Sequence, residues 1–119
     1  MAQSVESSSA IIDLQAWDNE LAAAGKTVDY EKLYQAMLKA SKESAGQSVE
    51  IWWRLAKVTF LASLNMDDPV AIKEKTLEVV AHAEKALTLD SSNFQANLWS
   101  ASAAGKLALL EDNLPEKLK

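Results

Sequence analysis

Apolar side chains recur along most of this chain at the three- and four-residue spacing of helices that bury one face. The pattern predicts a first helix from Ser9 to Gly25, where glycine is a common helix end. A second helix is predicted over residues 29–44. Its buried positions follow the i, i+3, i+4, i+7 spacing at Tyr30, Leu33, Tyr34, Met37 and Leu38.

The third predicted helix contains two adjacent tryptophans, Trp52 and Trp53, behind Ser48 as its N-cap. Neighbouring helical residues point about 100° apart, so the two rings cannot lie in one narrow stripe. The polar positions of this helix form one stripe, made up of Glu50, Arg54 and Lys57. The remaining surface is apolar or small, which predicts neighbours on at least two sides, as in a stacked helical repeat.

Two more helices are expected behind local start signals. Asp67 or Asp68 caps a fourth helix, with Pro69 at its first position. Residues 92–95 (SNFQ) have the spacing of a capping box, and they open a fifth helix that runs to about Leu110. The chain ends soon afterwards, where another helix is expected to begin, which indicates a fragment.

Composition supports an all-α fold and limits the possible functions. The 119 residues suffice for one domain, predicted at residues 10–119 behind a mobile, serine-rich tail at residues 1–9. Three glycines and two prolines leave little material for tight turns. The absence of cysteine excludes disulfides and thiolate metal sites. Since no phosphate loop, nucleophile elbow or HExxH motif occurs, we expect neither an enzyme nor a cofactor.

The net charge of −5 is concentrated near the N-terminus, because residues 1–30 hold five acidic residues and one lysine. An electrostatic nucleic-acid binder normally has a basic excess, so nucleic acid is disfavoured as a partner. No apolar run approaches the roughly 20 residues that span a bilayer, and the N-terminus lacks a signal-peptide pattern. We therefore expect a cytoplasmic protein with no membrane span in this chain.

Two segments resemble parts of a tetratricopeptide repeat. Residues 83–99 (AEKALTLDSSNFQANLW) resemble the end of one repeat and the start of the next. The run Trp52-x-x-Leu55-Ala56 resembles the W-x-x-L-G opening of a repeat, with alanine as the small residue that permits close helix contact. The connection between the two segments is longer than the standard one by roughly eleven residues.

The unusual spacing adds a second, narrower resemblance. WWRLAK (52–57), the long connection and AEKALTLDSSNF (83–94) together resemble the regulator of microtubule dynamics family. LYQAMLK (33–39) also fits, and the resemblance extends over about residues 29–119. Members of that family are tetratricopeptide-like proteins that associate with microtubules and the mitotic spindle and support chromosome segregation. Some vertebrate members sit on the mitochondrial surface through a transmembrane segment.

The resemblance implies both a fold and a function. The implied fold is all-α, with antiparallel helical hairpins in a right-handed, tetratricopeptide-like solenoid fragment of about five helices. The implied function is a non-catalytic protein-binding module on cytoplasmic microtubules and the spindle. The residues expected in the repeat core are Trp52, Trp53, Leu55, Ala56, Phe60, Ala86, Leu87, Phe94 and Trp99.

Basic side chains are the candidate contact with microtubules or tubulin, since the surface of tubulin is acidic. The candidates are Arg54, Lys57, Lys39, Lys42, Lys73 and Lys75. A local basic patch can attract an acidic partner despite a negative total charge, and such binding is expected to fade with salt. Scattered lysines on a solvated face are the alternative interpretation of the same residues.

Two other functions stay open at this point. One is a peptide-binding tetratricopeptide adaptor without direct tubulin contact, and the other is an organelle-contact or lipid-handling module. Trp17 of the acidic first helix either packs on the bundle or forms a contact of its own. His82 is expected to be a half-exposed helix residue, because a lone histidine without cysteine is a poor metal-ligand set.

Overall fold

The computed structural model describes residues 14–22, 29–43 and 48–113, and this part of the chain is helical without strands. Residues 14–21 belong to helix α1. The other elements are α2 (Tyr30–Ser41), α3 (Val49–Ser63), α4 (Pro69–Leu89) and α5 (Phe94–Asn113). The all-α fold class is therefore confirmed for the described residues. No helix among them is both long and apolar enough to cross a membrane.

Three expectations lie outside the described residues. These are the tail at residues 1–9 and the two ends of the first helix at Ser9 and Gly25. The second helix ends at Ser41, three residues before the predicted end.

Polar side chains begin α2, α3 and α4 at the predicted positions. The side chains of Asp29, Ser48 and Asp68 each accept an N–H from the first turn of their helix, at 3.0–3.2 Å. Pro69 lies in the first turn of α4, where its missing N–H leaves no hydrogen bond unmade. Of the two aspartates before α4, Asp68 is the cap.

The start of α5 differs from the predicted capping box. Asn93 Oδ1, rather than Ser92, accepts the N–H of Ala96 at 2.8 Å. The Ser92 hydroxyl instead donates to Asp90 Oδ1 at 2.9 Å in the preceding turn. Asparagine and serine are equally good N-caps, and here the serine hydroxyl is hydrogen-bonded to Asp90 in the turn after α4.

The first core cluster lies between α1, α2 and α3. Met37, Leu55 and Val58 are fully buried at its centre, and Trp17 and Leu21 of α1 pack against it. Burial of large apolar side chains is the main favourable contribution to folding, so this cluster holds the N-terminal half of the domain together.

The second cluster lies where α3, α4 and α5 meet. It consists of Ala56, Val79, Ala83 and Ala103, all fully buried. Small side chains at a contact let helix axes approach closely. A third cluster of Trp53, Ala86 and Ala96 continues the same three-helix contact.

α3 is the central helix, and its two tryptophans explain how it packs on more than one side. Trp53 belongs to the third cluster, between α3, α4 and α5. Trp52 is partly buried and packs against both the first and the third cluster. The two-sided packing predicted from this pair is confirmed, since α3 contacts α2 as well as α4 and α5.

One residue expected in the core is at the surface. Phe94 is 73% exposed. It precedes Ala96 by two residues and Ala103 by nine, and helical periodicity places both alanines on the opposite side of α5. The other expected core residues are buried or partly buried, namely Trp52, Trp53, Leu55, Ala56, Phe60, Ala86, Leu87 and Trp99.

Candidate functional site

An ion-pair cluster around Arg54 joins α1 to α3. Its guanidinium donates to both carboxylate oxygens of Asp18, at 2.8 and 2.7 Å, and to Glu50 Oε1 at 2.7 Å. The guanidinium carbon also lies 4.1 Å from the centre of a Trp53 ring. Only 11% of the Arg54 side chain is exposed. Arg54 therefore links α1 to α3 through a bidentate, charge-assisted hydrogen-bonded contact.

A second cluster around Lys75 joins α2 to α4. Lys75 Nζ lies 3.5 Å from Glu31 Oε1 and 3.8 Å from Glu78 Oε2, and it is 3.7 Å from the centre of the Tyr34 ring. The Tyr34 hydroxyl donates to the Glu78 carboxylate. Burial, together with this hydrogen bond, raises the pKa of the Tyr34 phenol above its usual range. Since its side chain is only 12% exposed, Lys75 presents little positive charge to a partner.

His82 adjoins the Lys75 cluster from the next turn of α4. Its Nε2 is 4.0 Å from Glu78 Oε1, and the centre of its ring is 5.8 Å from that of Trp52. The side chain is 12% exposed, so His82 is more buried than the half-exposed position expected from the sequence. Burial lowers the pKa of His82, with Glu78 opposing and Lys75 reinforcing that shift. The ring is therefore neutral at pH 7.

Acidification is expected to destabilise the protein through His82. Because the pKa of the folded-state imidazole is below that of the unfolded chain, the unfolded state takes up the proton first, and stability falls as pH drops below about 6.5. His82→Gln is expected to lose less stability than the unmodified chain between about pH 7.5 and about pH 5.5. Urea midpoints at the two pH values test this, and equal losses in both proteins would contradict it.

The six candidate contact residues divide into two groups. Three are held in ion pairs between helices: Arg54 with Asp18, Lys73 with Glu111 at 3.0 Å, and Lys75 with Glu31. Lys39 is exposed on α2, Lys42 is exposed at the C-cap of α2, and Lys57 is partly exposed on α3. None of these last three has an ion pair within residues 14–22, 29–43 and 48–113.

A row of lysines lies on the outer side of α2. Lys32 and Lys39 are separated by two helical turns on one face, and Lys42 flanks them. At 1.5 Å per residue the row extends for about 15 Å, opposite the buried Leu33 and Met37. We call Lys32, Lys39 and Lys42 the α2 lysine row. Lys32 was absent from the sequence candidates, although its seven-residue spacing from Lys39 would have indicated it.

A shallow groove between α1 and α2 runs beside the α2 lysine row. Its lining consists of Trp17, Ala36, Lys39, Ala40 and Glu43. Trp17 also packs against the first core cluster, so the same side chain docks α1 on the bundle and forms an aromatic wall of the groove. The lining contains one basic and one acidic side chain, Lys39 and Glu43, and the neighbouring Lys32 and Lys42 leave an excess of positive charge beside the apolar wall. Such an arrangement can bind an acidic protein surface.

A comparison with known families shows where this chain belongs. The family model described as Regulator of microtubule dynamics protein 1-3 matches residues 15–119. The chain belongs to the regulator of microtubule dynamics family. No curated protein and no solved structure matches it.

The Arg54 cluster and the α2 lysine row both lie inside the region shared with the regulator of microtubule dynamics family. The match begins within α1 and includes α2 to α5, so it contains the Arg54 cluster and the α2 lysine row. The family membership inferred from WWRLAK (52–57) and AEKALTLDSSNF (83–94) is confirmed. The name of the family points to a role in microtubule dynamics.

Proposed function

We propose that this chain is a non-catalytic binding module that associates with microtubules through the α2 lysine row. The family match over residues 15–119 carries the proposal. The geometry supports it, because the three lysines of the row are exposed and have no ion-pair partner among the described residues. A local row of positive charge attracts an acidic surface even when the whole chain has a net charge of −5.

The proposal includes a tetratricopeptide-like arrangement of the helices. α3 contacts α2 and α4, and α5 contacts both α4 and α3, as a stack of antiparallel helical hairpins requires. Ala56 is buried where α3, α4 and α5 meet, as is expected of the small residue in the W-x-x-L-G opening of a repeat. We assign α3 and α4 to one repeat of a right-handed solenoid and α5 to the start of the next.

The mechanism is non-covalent docking. The α2 lysine row supplies attraction to acidic side chains of tubulin, and Trp17 supplies an apolar surface in the adjoining groove. Exposed ion pairs contribute little individually, so binding by this face is weak and depends on several contacts at once. Association with the spindle and support of chromosome segregation in the cytoplasm are the cellular roles that we infer from this contact and the family resemblance.

Co-sedimentation with taxol-stabilised microtubules over a salt series tests the proposal. We expect pelleting at low salt that declines as salt rises, since the Debye length falls from about 10 Å at 0.1 M to about 3 Å at 1 M. Lys39→Glu replaces the attraction between Lys39 and an acidic side chain of tubulin by a repulsion of similar size. Attraction and repulsion each amount to roughly 1 kcal/mol at close range, so the substitution is expected to weaken binding about tenfold or more.

Lys85→Glu is the matched control, because Lys85 is an exposed lysine on α4 and the charge change is the same. Arg54→Glu is unsuitable, since it would place a third carboxylate beside Asp18 and Glu50 and release α1. Absence of pelleting at every salt concentration would refute direct association by this chain. Salt-insensitive pelleting that Lys39→Glu leaves unchanged would favour the adaptor function instead.

A further inference from the structure

Unpaired carboxylates lie on the same two helices as the α2 lysine row and its groove. Glu20 of α1, Asp29 at the N-cap of α2 and Glu43 after its C-cap are exposed, and none has an ion pair among the residues that the structure describes. The other carboxylates of these helices are held in the ion pairs with Arg54 and Lys75. Three unpaired lysines therefore share this face with three unpaired carboxylates.

This balance of charge limits which acidic partner the face can attract. The Debye length is about 8 Å at physiological salt, so each unpaired charge acts mainly on the part of a partner that lies next to it. A broad acidic surface that covers the whole face is repelled by the carboxylates as well as attracted by the α2 lysine row. A single line of acidic side chains that follows the row meets mainly lysines. Charge complementarity therefore favours a narrow, extended ligand.

The groove between α1 and α2 has space for side chains of such a ligand, and we call it the Trp17 groove. Its volume is about 360 Å³, near the lower end of the range of roughly 300–1,000 Å³ for ligand pockets. Ala36 and Ala40 are one helical turn apart in its lining, so small side chains on α2 leave space beside the wall that Trp17 forms. The groove accommodates a few side chains of a peptide rather than a folded surface.

The indole N–H of Trp17 adds a hydrogen-bond donor to the lining of the groove. The indoles of Trp53 and Trp99 each donate to a side chain of their own helix, at 3.2 Å. The indole of Trp17 has no acceptor among the described residues, although a buried or partly buried indole N–H usually has one. A ligand carboxylate in the groove supplies that acceptor, with the Lys39 ammonium as its second donor.

We propose that the α2 lysine row and the Trp17 groove together bind one extended acidic peptide segment, which on a microtubule is a disordered acidic tail of tubulin rather than its folded surface. This inference rests on the microtubule association proposed above. Lys32 and Lys39 are roughly 10 Å apart along α2, a distance that an extended chain covers in about three residues. Acidic residues at that spacing reach both ammonium groups. The segment becomes ordered only on binding, so its affinity is low.

Microtubules treated with subtilisin, which removes the acidic tails of tubulin, separate this inference from the association itself. At low salt we expect the chain to bind treated microtubules about tenfold more weakly than untreated ones, because the ligand of the groove is missing. If both preparations bound equally and Lys39→Glu weakened both, the association would stand and the tail would not be the ligand. Absence of pelleting with either preparation would refute the association and this inference together.

An oligoglutamate peptide of about eight residues tests the site directly, with an oligoglutamine peptide of the same length as the neutral probe. In heteronuclear NMR spectra we expect the oligoglutamate to shift the indole signal of Trp17, which Trp17→Phe assigns. The indole signal of Trp99 is expected to stay in place, because its N–H is bonded to Gln95 within α5. Shifts spread evenly over the surface, or an equal response to both peptides, would overturn the proposal.

Two substitutions four residues apart are expected to move the affinity for oligoglutamate in opposite directions. Lys39→Glu should weaken binding about tenfold or more, whereas Glu43→Gln should strengthen it about twofold or more by removing a repulsive charge from the groove. Misfolding cannot produce such a gain. Glu84→Gln is the matched control, since Glu84 is an exposed glutamate on α4 and the charge change is the same. Equal affinities of the Glu43→Gln and Glu84→Gln variants would overturn the proposal.

Discussion

Leu55→Ala is expected to lower the free energy of unfolding by about 2–5 kcal/mol, the largest effect that we predict for a single truncation. Leu55 is 0% exposed and belongs to the first core cluster with Met37 and Val58. The loss has two parts. The removed methyl groups no longer contribute the free energy of burial away from water, and the cavity that they leave in a closely packed interior adds a further cost. Urea unfolding followed by tryptophan fluorescence measures it, with Trp52 and Trp53 on the same helix as reporters.

Leu77→Ala is the control for this prediction. Leu77 lies on the exposed side of α4, where truncation is expected to change stability by no more than about 0.5 kcal/mol. If both alanine variants were equally destabilised, or if Leu55→Ala were neutral, α3 would not be the central helix of the bundle.

Ala83→Leu is expected to lower the free energy of unfolding by about 1–3 kcal/mol, because added methylene groups in a filled core force neighbouring helices apart. Ala83 is fully buried where α4 meets α3 and α5, in contact with the cluster that contains Ala56 and Ala103. Phe60, Val80 and Trp99 pack against this cluster, so a longer side chain at position 83 would have to displace them. The measurement is the same urea titration.

Ala81→Leu is the matched control, two residues earlier on the same helix and on its exposed side. It is expected to stay within about 0.5 kcal/mol of the unmodified chain. A neutral Ala83→Leu variant would mean that the three helices are not closely packed, and the assignment of α3, α4 and α5 to a repeat stack would lose its main support.

Helix positions and most helix starts could be predicted from the sequence because they depend on local chemistry. Asp29, Ser48 and Asp68 cap helices through bonds to N–H groups at most three residues away. The cap predicted for the start of α5 was wrong. Ser92 and Asn93 are adjacent and both are good caps, and the choice between them depends on the contact of Ser92 with Asp90.

The candidate site was predictable only in part, because the charge that a lysine or arginine presents depends on its tertiary partners. The Glu50–Arg54 pair has the i, i+4 spacing and could be inferred from the sequence. Asp18 is 36 residues from Arg54, and Glu31 is 44 residues from Lys75, so no local pattern identifies those pairs. Together with the Lys73–Glu111 pair, these contacts hold three of the sequence candidates in ion pairs between helices.

The sequence alone determined the all-α class, the two-sided packing of α3 and membership of the regulator of microtubule dynamics family. These conclusions rest on the hydrophobic periodicity, the adjacent tryptophans and the spacing of the repeat signatures, all of which can be read directly from the residue order. Only the tertiary structure decided which lysines remain outward on α2 and that Phe94 lies at the surface rather than in the core. Those outcomes depend on which helix faces meet, and that is set by contacts between residues far apart in the chain.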